Sequence, residues 1–370
     1  MVKIVTSFPM QRVALGQSIV NSIRLALAEA DYRAGDYTIE LVVLDDGNAE
    51  GQWLADKEAE NARRAVNDPQ VVAYIGPLNS GAAKISIPIT NRGGLAHISP
   101  SNTWPGLTKV GFAPGEPGIF YPTGQRNYFR TAPTDDLQAP AAVKWAENLG
   151  FKTVFLLDDG ETYGKGLADL FEAFAYTSRL TVIGHQTIDK TAADFRDVLT
   201  AIQQQAPNLD LIYFGGYSAN GAPLLVRQMK ELNMAAHFMG PDGIVDSYFI
   251  QQAGPAAEGG YATLVGVPPA ALTTERGQAF VQAYRAAYNT EPEAFSYLGY
   301  DAAQVIVQAL RRADPLQRST VLETINSLGT IEGAAGHFQF DEQGDTTLKV
   351  ISGNIVRNQT FQFMEILPTR

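Results

Sequence analysis

Five polar runs close apolar segments of this chain. They are Gly76-Pro77-Leu78-Asn79-Ser80-Gly81, Ser99-Pro100-Ser101-Asn102-Thr103, Asp158 leading on to Tyr163, Gly215-Gly216-Tyr217 and Gly240-Pro241-Asp242-Gly243. The side chains fall into two chemical sets. Ser80, Ser101 and Thr103 carry hydroxyls, and Ser80 opens an apolar helical run whose first N–H groups suit a carboxylate. Tyr163, Tyr217 and Asp242 bring aromatic rings and a carboxylate, which suit a cation. Neutral donors for an anion and a carboxylate for a cation match the polarity of a free amino acid. Each residue also has a plainer reading: Ser80 as a helix N-cap, Thr103 as a turn residue, Tyr217 as packing, Asp242 as a turn former between Pro and Gly.

No catalytic constellation accompanies these runs, and no enzyme is expected. Gly216-Tyr217-Ser218-Ala219-Asn220 lacks the last glycine of a nucleophile elbow. Gly160 and Gly164-Lys165 are wrongly spaced for a phosphate loop, and Pro9 to Gly16 holds no dinucleotide fingerprint. Asp45-Asp46 and Asp158-Asp159 stand at strand ends. Neighbours in extended chain face opposite sides, so these pairs read as caps and solvated turns. The chain has no cysteine and only four histidines, none in a metal-binding pattern. Thiolate chemistry, Cys-ligated zinc and iron–sulfur clusters are excluded, and neither a metal nor a cofactor is expected. A net charge of -11 argues against nucleic acid and against an anionic membrane surface. No apolar stretch approaches the roughly 20 residues of a spanning helix.

The elements that must hold these runs alternate. Apolar strands are predicted at 2–8, 39–46, 71–76 and 95–101, with helices at 16–30, 56–66 and 80–90 between them. A second series has strands at 153–159, 180–188, 209–216 and 236–241, and helices at 141–149, 163–177, 193–205 and 222–232. Pro140 suits the first turn of its helix. Strands that are nearly all apolar, alternating with helices, predict an α/β fold of two doubly wound parallel sheets. Residues 104–127 break the pattern with four prolines, five glycines and several aromatics, too long for an ordinary connection. Helices at 276–287, 302–312 and 320–328, a hairpin at 337–345 and a strand pair at 348–358 complete the chain and are expected to return to the two series.

The segments VAYIGPLNS, ISPSNTWPGLT, DDGETYGKGLA, LIYFGGY and HFMGPDG, in this order and spacing, resemble the type I periplasmic binding proteins. Among these, the leucine/isoleucine/valine-binding receptors of ABC importers are the nearest. The resemblance covers essentially the whole chain. It implies two lobes, 1–132 plus 264–339 and 133–263 plus 340–370, joined by three crossovers and closing on one ligand. It implies a carboxylate held by Ser80 and Thr103 with main-chain help near Ser101, and an ammonium held by Asp242 with Tyr163 and Tyr217 nearby. Asp242 stands where the family usually has Glu. Leu15 replaces a common Tyr in the first strand-to-helix loop, Trp104 replaces a small residue, and Phe295 matches a side-chain contact. The 104–127 segment is longer than in the leucine-binding relatives. The expected partners are a free amino acid, branched-chain or related, and an ABC permease in the membrane. The expected state is a monomer in the periplasm or at the cell surface, its export signal trimmed from this chain. The rival reading is a ligand-sensing module for a small amide or carboxylate.

Overall fold

In the computed structural model, residues 1–11 and 14–369 are described; Arg12, Val13 and Arg370 lie outside it. The first series runs β1 (Val2–Phe8), α1 (Ala14–Glu29), β2 (Arg33–Ala34), β3 (Tyr37–Asp45), α2 (Ala55–Asn67), β4 (Val71–Ile75), α3 (Ser80–Arg92), β5 (Ala96–Ser99) and β6 (Tyr128–Arg130). The second runs α4 (Asp135–Asn148), β7 (Thr153–Asp158), α5 (Thr162–Ala175), β8 (Thr181–Thr187), α6 (Arg196–Gln205), β9 (Leu211–Gly215), α7 (Ala222–Glu231), β10 (His237–Gly240), α8 (Ser247–Ala253) and β11 (Tyr261–Val265). Then come α9 (Glu275–Tyr288), α10 (Ser296–Arg312), α11 (Arg318–Ser327), β12 (Ile331–Gly333), β13 (Gly336–Phe338), β14 (Ile351–Arg357) and β15 (Thr360–Leu367).

The chain divides into two compact α/β units. One comprises Met1–Thr134 and Pro269–Leu348, the other Asp135–Pro268 and Lys349–Arg370. The first unit holds a sheet in the order β2-β3-β1-β4-β5-β6, parallel from β3 to β6, with β2 antiparallel at the edge. Val5, Leu44, Val71, Tyr74 and Leu95 are buried on it together with Ala65 of α2. Burying such a side chain stabilises by about 1.5–3 kcal/mol each. In the second unit the order is β15-β14-β11-β10-β9-β7-β8, with β14 antiparallel to both of its neighbours, β11 and β15, and the remaining pairs parallel. The parallel strands are apolar because both faces are covered, and within each sheet their carboxyl ends deliver loops to one edge.

Several details differ from the sequence reading. α4 starts at Asp135, with Pro140 inside it rather than in its first turn. The acidic Asp135-Asp136 pair favours a helix N-terminus there, and the missing Pro140 N–H leaves one carbonyl of the first turn without its helical partner. The crossings between units fall two, five and nine residues later than expected. The second is late because β11 continues to Val265, paired with Ile351 of β14. The third is late because residues 341–345 stay with the first unit, where the Arg130 N–H donates to the Gly344 carbonyl at 3.0 Å. The predicted hairpin at 337–345 is reduced to one bridge, Phe340 to Thr346; the hairpin proper is β12–β13. Residues 104–127 form two short 3-10 turns, Pro105–Leu107 and Gly118–Phe120.

One contact in the second unit sets the position of α5. Its first turn lies against the end of β9, backbone on backbone. A Cβ on Gly215 would stand 2.2 Å from the Gly164 carbonyl oxygen, and one on Gly164 2.5 Å from the Gly215 oxygen. Only glycine fits at 215, because the nearest obstructing atom is main chain, and at 164 the Asp159 carboxylate stands closer still, at 2.3 Å. Gly215→Ala is expected to destabilise the fold by about 1–3 kcal/mol, as overpacking does. Denaturant unfolding checks this, as a lower midpoint at unchanged slope.

Candidate functional site

The first unit presents a knot of two loops, 76–79 after β4 and 100–104 after β5. Their carbonyls are satisfied by side chains. Asn102 Nδ2 donates to the Pro77 and Leu78 carbonyls at 2.9 Å each, and its Oδ1 accepts the Tyr128 hydroxyl at 3.0 Å. Ser99 Oγ donates to the Pro77 carbonyl at 3.3 Å and accepts the N–H groups of Ser101 and Asn102. Beneath them His97 is buried between the rings of Tyr74 and Tyr128, with centroids 4.9 and 5.1 Å away. Burial pushes its pKa down to about 3, so the ring is neutral, and Nε2–H donates to the Gly76 carbonyl at 2.7 Å.

What this knot leaves unused is informative. The Thr103 hydroxyl is buried and has no hydrogen-bond partner among the described residues. Ser80 Oγ accepts the Trp104 N–H at 3.3 Å and keeps its own proton to donate. α3 begins at Ser80, so the capping position is Asn79, one residue earlier than expected, and the Asn79 side chain makes no capping bond. The first-turn N–H groups lack helical acceptors, and the helix dipole favours an anion there. Thr103, Ser80 and the start of α3 thus form a donor set without an acceptor. Ser101 is different: its hydroxyl donates to the Pro77 and Leu78 carbonyls and its N–H to Ser99. Its polar groups belong to the stitching.

Trp104 turns its indole onto the insertion. Nε1–H donates to Glu116 at 2.8 Å, Lys84 pairs with Glu116 at 2.7 Å and lies over the indole, and Phe112 meets the ring edge-on at 5.8 Å. The insertion is thereby clasped to α3. Leu15 is buried in the first turn of α1, not in a loop. Phe295 is buried just before α10 with φ of 63°, a left-handed conformation unusual for a bulky residue. A 2.7 Å bond between the Ser18 and Ser296 hydroxyls ties the turns that carry Leu15 and Phe295.

The second unit presents an acceptor set. Tyr163, in the first turn of α5, donates its hydroxyl to Asp242 Oδ1 at 2.9 Å and accepts the Gly243 N–H at 2.9 Å. Tyr217, half-buried after β9, lies against it with centroids 4.7 Å apart. Asp242 is 2 % exposed. Burial pushes its pKa up to about 6, against the lowering effect of bonds from Gln138 and Tyr163. Burial and the neighbouring Asp242 carboxylate push the Tyr163 phenol well up, so it remains a donor. Among the described residues no cation pairs with Asp242. Tyr163 therefore orients the carboxylate, and Asp242 keeps acceptor capacity for a cation.

Sequence reading passed over several supporting residues. Asp159 was read as a solvated turn residue. It is buried, accepts Asn220 Nδ2 at 2.7 Å and the Glu161 N–H at 3.0 Å, and braces the loop that carries Tyr217. Asp46, in the other acidic pair, is also fully buried. Asn102, His97 and Gln138 carried no signal beyond a polar residue amid apolar neighbours.

The sequence matches the periplasmic binding protein family over residues 9–353. The chain belongs to that family, a family of solute-binding proteins, as its five motifs implied. Among its relatives is a leucine-, isoleucine-, valine-, threonine- and alanine-binding protein of Pseudomonas aeruginosa, 29% identical over 83% of this chain and 76% of that protein. A leucine-binding protein, LivK, of Thermotoga maritima has a TM-score of 0.86 at 27% identity, covering 99% of each chain. The branched-chain amino-acid transporter substrate-binding protein LivJ of Streptococcus pneumoniae, solved with isoleucine, has a TM-score of 0.85 at 25% identity, covering 100% of each chain.

Burying Asp242 without a cation opposes folding. A carboxyl whose pKa rises from 3.8 to about 6 on folding contributes stability that is lost as pH rises through that window. Asp242→Asn is therefore expected to make the unliganded protein more stable than the parent at pH 8, by up to about 3 kcal/mol at 1.36 kcal/mol per unit. The gain should vanish near pH 4. Thermal unfolding of both proteins across that range checks it.

Proposed function

We propose that this protein is the solute-binding receptor of an ABC importer, working outside the cytoplasm, and that its ligand is a free amino acid of the branched-chain or a related class. The carboxylate goes to the donor set of Ser80, Thr103 and the start of α3. The ammonium goes to Asp242, which Tyr163 orients beside the ring of Tyr217. The observation that carries this reading is the complementary deficit of the two sets among the described residues: a buried hydroxyl without an acceptor in one unit, and a buried carboxylate without a cation in the other. A zwitterion remedies both. A simple carboxylic acid remedies only the first. The relatives named for leucine, isoleucine and valine support the branched-chain class. A ligand delivered this way passes to a membrane permease, which is the second partner proposed.

Calorimetric titration with L-leucine, L-isoleucine, L-valine and benzoate tests the proposal. A charge-assisted hydrogen bond contributes about 1.5–3 kcal/mol, and a factor of ten corresponds to about 1.4 kcal/mol. Asp242→Asn should weaken amino-acid binding at least about tenfold. Ser80→Ala should weaken it less, because the helix N–H groups remain. Equal binding by Asp242→Asn and the parent would remove the ammonium assignment, and binding of benzoate alone would reassign the ligand to a carboxylic acid.

The pH dependence follows from the same group. The ammonium needs Asp242 ionised, and its pKa without a cation is about 6. Affinity for L-leucine should hold above pH 7 and fall as pH drops below 6. At pH 6 binding should release protons, visible as a dependence of the heat on buffer ionisation enthalpy.

A further inference from the structure

We infer that Arg130 is a positioning residue for the carboxylate-binding turn, holding the main-chain carbonyls on either side of Thr103. The inference rests on the reading that Thr103 and Ser80 take a carboxylate. Arg130 ends β6, pairs with Ser99 of β5, and is fully buried. Its Nη1 donates to the Asn102 carbonyl at 3.3 Å and to the Trp104 carbonyl at 2.8 Å. Nε donates to Asp345 Oδ1 at 2.6 Å, and Nη2 bonds Thr108. Thr108 in turn donates to Asp345 at 2.9 Å. The guanidinium is thus fixed from behind by a carboxylate and a hydroxyl, while its free edge grips the turn.

That grip acts on Thr103 through covalent geometry. The Asn102 carbonyl and the Thr103 N–H share one rigid peptide plane, so fixing the oxygen aims the N–H the opposite way. The Trp104 carbonyl is held on the far side, and the Trp104 N–H is held by Ser80. Thr103 is therefore clamped before and behind, while its own hydroxyl stays without a partner among the described residues. A clamp of this kind serves a preorganised donor: the turn need not reorganise when an anion arrives. A lysine retains the charge but has no planar fork, and cannot hold both carbonyls and Asp345 together.

The test compares L-leucine with L-leucinamide, which lacks the carboxylate, on the full-length chain by calorimetry, with thermal unfolding alongside. Arg130→Lys should weaken leucine at least about tenfold and leucinamide by less than about twofold. Arg130→Lys combined with Thr103→Val should lose little more leucine affinity than Arg130→Lys alone. If Arg130→Lys does not fold, Thr108→Val, which removes the prop on Nη2, should give a smaller leucine-selective loss of about threefold. Equal weakening of both ligands, or no weakening in a folded variant, overturns the positioning role while leaving the carboxylate reading in place. If the parent itself fails to prefer leucine to leucinamide, the carboxylate reading falls, and the inference with it.

Discussion

The Asn102 carboxamide lies across the carbonyls of Pro77 and Leu78, and the first half-site is organised around that contact. Loops that leave buried parallel strands carry carbonyls no neighbouring strand can satisfy, and each one left bare costs about 1–3 kcal/mol. Asn102 and Ser101 satisfy them with their side chains, which ties the two loops together beside Thr103. In that turn the hydroxyl of Thr103 has no partner among the described residues. The unsatisfied donor is a by-product of satisfying its neighbours, and the proposed ligand carboxylate would complete the count.

The second unit solves the opposite problem. It buries carboxylates rather than donors, and it does so with neutral groups: Tyr163 and Gln138 on Asp242, Asn220 and a main-chain N–H on Asp159. Neutral donors lower the cost of burial without neutralising the charge. A lysine or arginine in that place would have made a more stable fold and closed the site to any other cation. A buried carboxylate held only by neutral donors costs stability, which is the pattern expected of a binding site.

The alternation of strands and helices was legible because apolar runs and helical periodicity are local properties. The ends of strands were legible for the same reason, and with them the placement of Ser80, Thr103, Tyr163, Tyr217 and Asp242 in the turns that follow. Roles that depend on a distant partner were not. Ser101 looks like Thr103 in sequence, yet its hydroxyl meets carbonyls 23 and 24 residues away. Asp159 looks like a turn residue until Asn220 arrives from 61 residues further on. Trp104 reads as a pocket residue by its place next to Thr103; its indole instead follows Glu116, a partner that only the folded insertion supplies. Pro140 misled in the other direction, since proline favours a helix start but tolerates a place further in when acidic residues before it begin the helix.

The clasp on Trp104 also gives one indole of the first unit a charged environment of its own. The chain has three tryptophans. Trp104 is buried in the first unit with its indole N–H on Glu116, and Trp53, in the same unit, is half-buried. Trp145 is fully buried in the second unit with its indole N–H on Glu365. Emission from an indole depends on the polarity around its ring and on charges near its edge. Trp104 has an ammonium over its face and a carboxylate at its edge, whereas Trp145 meets a carboxylate at its edge and the ring of Tyr261. Trp104 and Trp145 thus sit in different surroundings, one in each unit, and replacing Trp53 would leave each unit with a single indole.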